Sequence, residues 1–502
     1  MLIRLVVEEH ENFQEGCRLQ VADASDEEQI EYLGMVRENQ IPSMKTAKQI
    51  TFLLKRKVPL TRQVADATLL TLQYFVRSND CPPLHRVDLL FSSGILEQEY
   101  RVLSTALGWR TFQQFVLCRV PRNSPEQEST FMIPLCHDRR LEGLKGLELS
   151  GVQLGLQATN ALAESMVGDG PKAVEFLDCN LRSGNGSSSS SSSSSMDRTL
   201  EENLARGLSR NRNLQRFRWI SFREPQVDEK LAVILQGFVG HVALKELILD
   251  TSLVGNRCME VLLAIFSQAT CSIRHLQVNF KMIGQPSAEP TRFDVASLLQ
   301  GIPVTHSLER LEFAQQRLNA VSANTILRHL WKCPRVTSLS LSLNQIEDWK
   351  TLARDLLSIE QLPAQSRLRF LDLTPYPTSP VRLTPKQVLE AGLSLEEHVT
   401  VPIMNLLTAF PELGDFGQRW FCFTDPEFPI CIQDRMARNR CIGTLLLGNP
   451  TAIPWSVWPL VLEKAQRDYW LRMSPQCCAD ILYQIIQGPA FAARTGLSYV
   501  YE

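Results

Sequence analysis

The chain has 502 residues, of which 44% are apolar and 21% are charged. This composition is typical of a folded globular protein and excludes a wholly disordered or collagen-like chain. A formal charge of −2, from 52 Lys and Arg against 54 Asp and Glu, argues against a protein that binds nucleic acid mainly through phosphates. At ~150 residues per domain, the length alone predicts about three domains.

The N-terminal sequence carries no targeting signal. The apolar run from Leu2 to Val7 is too short for the core of a signal peptide, and no basic region precedes it. No stretch approaches the ~20 apolar residues that a membrane span requires. The 13 cysteines are an odd number spread over a long chain, which favours reduced thiols over a secreted disulfide framework. We therefore expect a protein of the cytoplasm, or of the nucleus, that does not contact a membrane.

Residues 1–83 are predicted to form an N-terminal cap. The pattern indicates a short strand at Leu2–Val7, a second strand near Leu19–Val21 and a helix at Thr61–Phe75. One irregular repeat is expected within this cap, near Ala47, Ile50 and Phe52.

From residue 84 onward, one six-residue pattern recurs: apolar-x-x-apolar-x-apolar. Its ten clear copies start 28, 32, 30, 40, 30, 29, 35, 28 and 32 residues apart. They are Leu84/Val87/Leu89, Phe112/Phe115/Leu117, Leu144/Leu147/Leu149, Val174/Leu177/Cys179, Leu214/Phe217/Trp219, Leu244/Leu247/Leu249, Ile273/Leu276/Val278, Leu308/Leu311/Phe313, Val336/Leu339/Leu341 and Leu368/Leu371/Leu373. A less certain copy lies near Phe410, Leu413 and Phe416.

Each copy reads as one strand followed by one helix. Its last two apolar positions alternate with polar residues, as a strand with one buried face requires. Apolar residues spaced by three, four or seven then follow, for example at Leu200, Leu204 and Leu208, and this spacing predicts an amphipathic helix.

This pattern resembles the leucine-rich repeat, in particular the long ribonuclease-inhibitor-like type, over residues 84–416. The resemblance implies an α/β solenoid, a horseshoe with a parallel sheet on its concave side, helices on its convex side and a cap at each end. The chain departs from the family at the ninth position of the repeat, where Asn or Cys is usual. Asn344 matches there, whereas Ser92, Val152, Phe222, Ser252 and Tyr376 do not.

The longer intervals contain insertions that lie between a strand and the following helix. They are the nine serines from Ser187 to Ser195, within a loop at 183–197 that we expect to be disordered, and the segments 121–130, 284–291 and 375–385. All four should project from one rim of the solenoid. The serine tract is either an unselected homopolymer or a loop that can be phosphorylated.

Residues 417–502 are predicted to close the solenoid. Four of the eight tryptophans lie from Trp420 onward, and amphipathic helices are expected after Pro454 and across Cys478–Ile486. This segment resembles the closing module of leucine-rich-repeat proteins from diatom-type algae. Its aromatic residues are expected to pack in a core, with a peptide-binding pocket as the alternative.

No sequence motif predicts an enzyme, a cofactor site or a metal site. The chain lacks C-x-x-C, H-E-x-x-H and G-x-S-x-G patterns, and Gly184-Asn185-Gly186 lacks the lysine of a phosphate-binding loop. Among the histidines only His275 is expected to face the concave side, where a solvated role is the default. We therefore expect a protein without catalytic residues, cofactors or metal ions.

The strand residues that point away from the helices form the candidate site. This inner face should be mildly acidic, which suits a basic protein or peptide, and apolar residues should be exposed among the charges. The charged and polar positions are Arg86, Asp88, Gln114, Glu148, Asp178, Arg216, Arg218, Glu246, Asp250, Arg310, Glu312 and Asp372, and the apolar ones are Leu90, Val116, Phe176, Ile220, Ile248 and Phe370.

The predicted binding patch consists of Arg216, Arg218, Ile220, Glu246, Ile248, Asp250, Phe176 and Phe370. Exposed apolar residues flanked by charges are typical of protein interfaces. The alternative is that these residues only pair across neighbouring strands and stabilise the sheet.

The sequence therefore predicts a monomeric scaffold that recognises another protein through its concave sheet and its rim loops. A second reading, a regulator that activates a small GTPase, rests only on the analogy with other proteins of this repeat type.

Overall fold

The computed structural model describes a defined set of residues. They are 2–9, 15–22, 49–54, 84–91, 112–118, 136, 141–181, 194–221, 227–251, 255–279, 295–303, 306–316, 318–346, 348–354, 356, 366–374, 385–416, 431–432, 435–436 and 439. The rim segments 121–130 and 284–291 and the closing-module helices lie outside this set, as does the serine loop from 183 to 193. The chain folds as two compact units, 1–273 and 274–502.

The first unit contains a mainly parallel sheet. Its strands, in spatial order, are β1 (Leu2–Glu9), β2 (Glu15–Ala22), β3 (Gln49–Leu54), β4 (Leu84–Phe91), β5 (Phe112–Cys118), β6 (Gly146–Ser150), β8 (Ala173–Leu177), β10 (Arg216–Ser221) and β11 (Glu246–Thr251). Strands β1 and β2 are antiparallel, and every later neighbour is parallel. Two short strands, β7 (Gln153–Leu154) and β9 (Asn180–Leu181), form a separate two-stranded parallel sheet.

Helices follow the later strands of this unit. They are α1 (Leu156–Ser165), α2 (Ser194–Arg210), α3 (Val227–Gln236) and α4 (Asn256–Phe266). Helix α2 begins at Ser194, so the prediction of a disordered loop through residue 197 is wrong at its C-terminal end. The amphipathic pattern at Leu200, Leu204 and Leu208 accounts for this, because all three leucines are fully buried.

The second unit repeats the same arrangement. Its parallel strands are β12 (His275–Asn279), β13 (Arg310–Glu312), β14 (Ser338–Ser340) and β15 (Phe370–Asp372). Its helices are α5 (Val295–Gly301), α6 (Ala320–Leu330), α7 (Trp349–Leu352), α8 (Pro385–Glu390) and α9 (Val401–Ala409), with a π-helical turn at Glu396–Thr400 before α9.

Parallel strands that alternate with helices confirm the predicted α/β, solenoid-like repeat. If the first apolar residue of each copy is position 1, the residues at positions 4 and 6 are buried, as in Leu247 and Leu249 or Leu339 and Leu341. The helices cover this face of the strands, since the ring of Phe217 lies 4.8 Å from the ring of Phe238 just after α3. The opposite face, which carries positions 3 and 5, is called the helix-distal face below.

Two copies occupy a different register from the one predicted. Strand β8 pairs Val174 with Leu147 and Phe176 with Leu149, so Val174 and Phe176 hold positions 4 and 6 and Pro171 holds position 1. The last copy starts at Leu413 rather than at Phe410, because the amides of Gly414 and Asp415 donate to the carbonyl of Arg369, as Arg369 and Phe370 do to Thr337.

The backbone at position 8 supports the corrected register. Four residues there have left-handed φ values: Gly151 (64°), Asp178 (53°), Gln315 (59°) and Leu343 (56°). Asp178 occupies this position only if the copy starts at Pro171. It therefore lies in the turn after β8 and not on the inner face, which corrects the prediction for this residue.

The side chain at position 9 ties each of three copies to the copy before it. Asn344 Nδ2 donates to the carbonyl of Phe313 over 2.8 Å, and Gln316 Nε2 donates to the carbonyl of Val278 over 2.8 Å. In the corrected register Cys179 also holds position 9, and its Sγ lies 3.0 Å from the carbonyl of Leu149. Each acceptor is the position 6 residue of the preceding copy, so this contact recurs in both units.

Candidate functional site

The helix-distal face of β8, β10 and β11 carries a cluster of charged side chains. Arg216 and Arg218 are two residues apart on β10 and therefore point to the same side of the sheet. Strand pairing places Glu175 of β8 directly opposite Arg218 and Glu246 of β11 directly opposite Arg216. We call Glu175, Arg216, Arg218 and Glu246 the charged patch.

Ion pairs connect the four residues of the charged patch. Arg216 Nε lies 3.6 Å from Glu175 Oε1 and 3.4 Å from Glu246 Oε2. Arg218 Nη1 lies 3.3 Å from Glu175 Oε2. The two oxygens of Glu175 therefore face one arginine each. All three distances are long for charge-assisted hydrogen bonds, which are usually ~2.7–2.9 Å.

Both arginines of the charged patch remain accessible. The side chain of Arg216 is 42% exposed and that of Arg218 is 31% exposed, whereas Glu175 is 17% exposed. The Nε atoms of both arginines are buried: Arg216 Nε lies between the two carboxylates at the distances given above, and Arg218 Nε has no hydrogen-bond acceptor within the described part of the chain. A partner can therefore reach these side chains only through atoms other than Nε.

Three of the four apolar residues of the predicted patch are buried. Phe176 is fully buried, because the corrected register turns it toward the helices, and its ring lies 5.0 Å from that of Trp219. Ile220 and Ile248 do lie on the helix-distal face but are only 4% exposed. Ile248 sits opposite Arg218, and the aliphatic stem of an arginine can shield an apolar neighbour. The prediction that these three residues are exposed is wrong.

The remaining members of the predicted patch lie elsewhere or are described only in part. Asp250 pairs with Ile220 through the backbone, and its side chain lies outside the described atoms. Phe370 is half-buried in β15 and belongs to the second unit, so the structure does not place it with the residues of β10 and β11. Arg86, Asp88, Leu90, Gln114 and Val116 lie on paired strands β4 and β5, again with side chains outside the described set.

Sequence reasoning missed Glu175 as a member of the site. The predicted copy starts at Val174 and puts Phe176 and Asp178 on the inner face, because the run Val174, Phe176, Leu177, Cys179 fits the apolar pattern in two registers. Cys179 is the residue that could have revealed the observed register. The leucine-rich-repeat pattern favours a cysteine at position 9, and counting back from Cys179 gives a copy that starts at Pro171.

The helix-distal face of the second unit is also polar. His275 Nε2 lies 3.5 Å from Glu312 Oε1, and Arg310 pairs with the same carboxylate. The interaction with His275, followed by the charge of Arg310, lowers the pKa of the Glu312 carboxyl below its ordinary value. The Ser340 hydroxyl donates to Asp372 over 3.1 Å. His275 and Ser340 therefore each have a carboxylate partner.

Among the described residues, no helix combines the length and the apolar character that a membrane span requires. No group of three or more His, Cys, Asp or Glu there is arranged to hold a metal ion.

No protein-family model matches the chain, and no curated protein is significantly similar to it.

Proposed function

We propose that this protein is a non-enzymatic recognition scaffold that binds another protein through its helix-distal face, with the charged patch at the centre of the contact. The proposal includes a leucine-rich-repeat horseshoe whose helix-distal face is concave and whose rim loops add contacts. The observation that carries it is the pair of arginines, Arg216 and Arg218, which lie on the same side of β10 and are partly exposed.

Arginine is one of the residues that most often dominates the energy of a protein interface. The ion pairs within the charged patch are solvent-accessible and long, and such pairs contribute only ~0.2–1 kcal/mol. A partner can therefore compete for these arginines at little cost to the sheet.

A cytoplasmic setting is part of the same proposal. Cys136, Cys258, Cys333 and Cys431 are free thiols, which suits a reducing compartment. Burial raises the pKa of Cys136 to about 12, so this thiol stays protonated and unreactive at neutral pH.

The test compares partner capture by the wild-type chain and by the double variant Arg216→Ala/Arg218→Ala, using quantitative mass spectrometry. Proteins that depend on the charged patch should be depleted at least about tenfold, the loss expected when charge-assisted hydrogen bonds at an interface are removed. Stability of each variant is checked by thermal unfolding.

The matched control is Arg206→Ala/Arg257→Ala, which removes two exposed arginines from α2 and α4. Arg257 also pairs with a carboxylate, Glu260, over 3.4 Å. This variant should capture the same proteins as the wild-type chain. Equal capture by all three chains would contradict the proposed site.

A further inference from the structure

A second surface of the first unit lies at the edge of the sheet where its strands begin. Position 2 of four successive copies is held there by Lys145, Lys172, Gln215 and Lys245. The amide of Lys172 donates to the carbonyl of Leu144 over 2.9 Å. Beside it, the amide of Gln215 donates to Lys172 over 2.7 Å, and the amide of Lys245 donates to Gln215 over 2.8 Å. Since neighbouring strands lie ~4.8 Å apart, the three lysines form one row along this edge.

The turns that lead into these strands belong to the same edge and are also neighbours. The amide of Gly168 donates to the carbonyl of Arg210, and the amide of Arg212 donates to the carbonyl of Gly168, both over 3.0 Å. In the next turn, His241 Nε2 lies 2.9 Å from the carbonyl oxygen of Asn211. Three consecutive turns, one from each of three copies, are therefore adjacent.

These turns expose apolar side chains to an open space. Val167 is 44% exposed, Val239 is 42% exposed and Val242 is 65% exposed. Gly168 and Gly240, in the first and the third of the turns, have left-handed φ values of 85° and 79°. A Cβ atom added to either glycine would meet none of the described atoms within 4 Å. A partner can therefore approach the valines without displacing another part of the described structure.

The cations of this edge are exposed, and none of them has an ion-pair partner among the described residues, unlike the arginines of the charged patch. They are Lys145, Lys172, Arg210, Arg212 and Lys245. The exposed carboxylates in the same turns and at the adjoining helix end are Glu142, Glu164 and Asp169. Five positive and three negative charges give this edge a local excess of positive charge, on a chain whose formal charge is −2. We call the five cations and the three exposed valines the basic edge.

We propose that the basic edge is a second docking surface, which binds an acidic segment of a partner protein that carries apolar side chains among its carboxylates. Apolar residues surrounded by charges are the usual composition of a protein interface. The valines argue against nucleic acid, which is bound mainly through its phosphates. Valines also differ from the Trp, Phe and Leu side chains typical of surfaces that enter a membrane. The inference goes beyond the proposed function, because the basic edge shares no residue with the charged patch.

The probe is a phage-displayed library of short random peptides, selected on the full-length chain. Selected peptides are then synthesised, and their Kd is measured by fluorescence anisotropy. We expect enrichment of peptides that combine Asp or Glu with apolar residues. Their Kd should rise at least about tenfold in Lys172→Glu/Lys245→Glu, because like charges then oppose each other across the contact.

The matched control is Arg206→Glu/Arg257→Glu, which reverses two exposed charges on α2 and α4. Each reversal subtracts two charges, so both double variants have a formal charge of −6, from −2 and −4. The control should keep the wild-type Kd. Thermal unfolding of each variant reports its stability.

A second variant predicts a gain of binding, which misfolding cannot imitate. Gln215 is exposed and lies in the row between Lys172 and Lys245. Gln215→Lys completes the row, so acidic peptides should bind roughly two- to fivefold more tightly, the equivalent of one exposed ion pair. Glu260→Gln changes the net charge by the same amount on α4 and should leave the Kd unchanged.

The valines are tested separately from the charges. In Val239→Ser/Val242→Ser, the Kd of the selected peptides should rise roughly fivefold, which is less than full burial of one valine would contribute. Val321→Ser is the control, since Val321 is 59% exposed on α6. It should leave the Kd unchanged.

The inference is overturned if no acidic peptide is selected, if Lys172→Glu/Lys245→Glu leaves the Kd unchanged, or if the charge-matched control weakens binding equally. Vesicles of phosphatidylcholine and phosphatidylserine should not bind the chain in a sedimentation assay. Vesicle binding that is lost in Lys172→Glu/Lys245→Glu would assign the basic edge to an anionic membrane instead. Arg216→Ala/Arg218→Ala should leave the Kd of these peptides unchanged, so this inference and the proposed function can fail independently.

Discussion

At the scale of single residues, the turn after each strand requires a conformation that its residues do not favour. Position 8 is left-handed in four copies, but glycine holds it only at Gly151. For other residues this region costs roughly 1–2 kcal/mol, because Cβ approaches the backbone carbonyl. The backbone there is fixed by neighbours, since the amide of Gln315 donates to Ser342 and that of Leu343 to Thr374. The chain therefore tolerates strain at this position.

Replacing Gln315 with glycine should relieve that strain. Glycine adopts the left-handed region freely, although it also gains entropy in the unfolded chain. We expect Gln315→Gly to raise the free energy of unfolding by about 0.5–1 kcal/mol, measured by urea denaturation.

The neighbouring residue supplies the control. Gln316→Gly should lower the free energy of unfolding by ~1–2 kcal/mol, because it removes the hydrogen bond to the carbonyl of Val278 and adds backbone freedom. A loss of stability in Gln315→Gly as large as that in Gln316→Gly would show that φ at position 8 is not a source of strain.

At the scale of secondary-structure elements, small residues set how closely the helices of the first unit approach one another. A Cβ atom on Gly207 of α2 would lie 2.5 Å from the carbonyl oxygen of Ala163 in α1. Gly237, 30 residues later and just after α3, meets the backbone of Ala205 in the same way. The helices thus pack in contact with backbone at equivalent points of successive copies.

Gly207→Ala tests this packing. Alanine favours a helix over glycine by ~1 kcal/mol, but here its methyl group would force α1 and α2 apart, and such overpacking costs ~1–3 kcal/mol. We expect the free energy of unfolding to fall by about 1–2 kcal/mol, by urea denaturation. Ser209→Ala, on an exposed position of the same helix, should change it by less than ~0.5 kcal/mol. A stabilised Gly207→Ala protein would refute the close contact.

The strands could be predicted from the sequence wherever the apolar pattern fits in only one register. The strand near Ala47, Ile50 and Phe52 was predicted on weak evidence, and Ile50 and Phe52 pair with Val87 and Leu89 as that register requires. The pattern failed at Pro171, because proline is an unusual apolar residue for position 1 and Val174 starts an equally good match. It also failed to predict that Ile220 and Ile248 are shielded, since burial on the helix-distal face depends on the side chains of neighbouring strands.

At the scale of the whole molecule, the repeat period did not reveal where the chain divides. Both units are built from the same strand-helix copy, and their boundary falls between Ile273 and Arg274, inside one copy of the pattern. In a repeat protein each copy contacts mainly its neighbours. The sequence pattern is therefore the same at the boundary between the two units as elsewhere. The predicted boundaries at residues 83 and 416 rest on where the repeat pattern begins and ends and on the tryptophan-rich composition of the C-terminal segment, and they stay predictions.

The salt dependence of binding can distinguish the effect of the charged patch from the effect of the net charge of the whole chain. A net charge of −2 repels a partner of net negative charge weakly at long range, and added salt would relieve that repulsion and strengthen binding. Contact with Arg216 and Arg218 predicts the reverse, because salt screens the local attraction, with a Debye length of ~8 Å at physiological ionic strength. The sign of the salt dependence therefore tells which effect dominates.

We expect the Kd of a protein captured through Arg216 and Arg218 to rise several-fold between low and high NaCl concentration, measured by fluorescence anisotropy. In Arg216→Ala/Arg218→Ala this dependence should nearly vanish. The control Arg206→Ala/Arg257→Ala has the same net charge, since removing two positive charges from −2 gives −4 in both variants. This control should keep the wild-type salt dependence, because its net charge falls by the same amount while the charged patch stays intact. An equal loss of salt dependence in the two variants would assign the effect to net charge and leave the charged patch without a role in it.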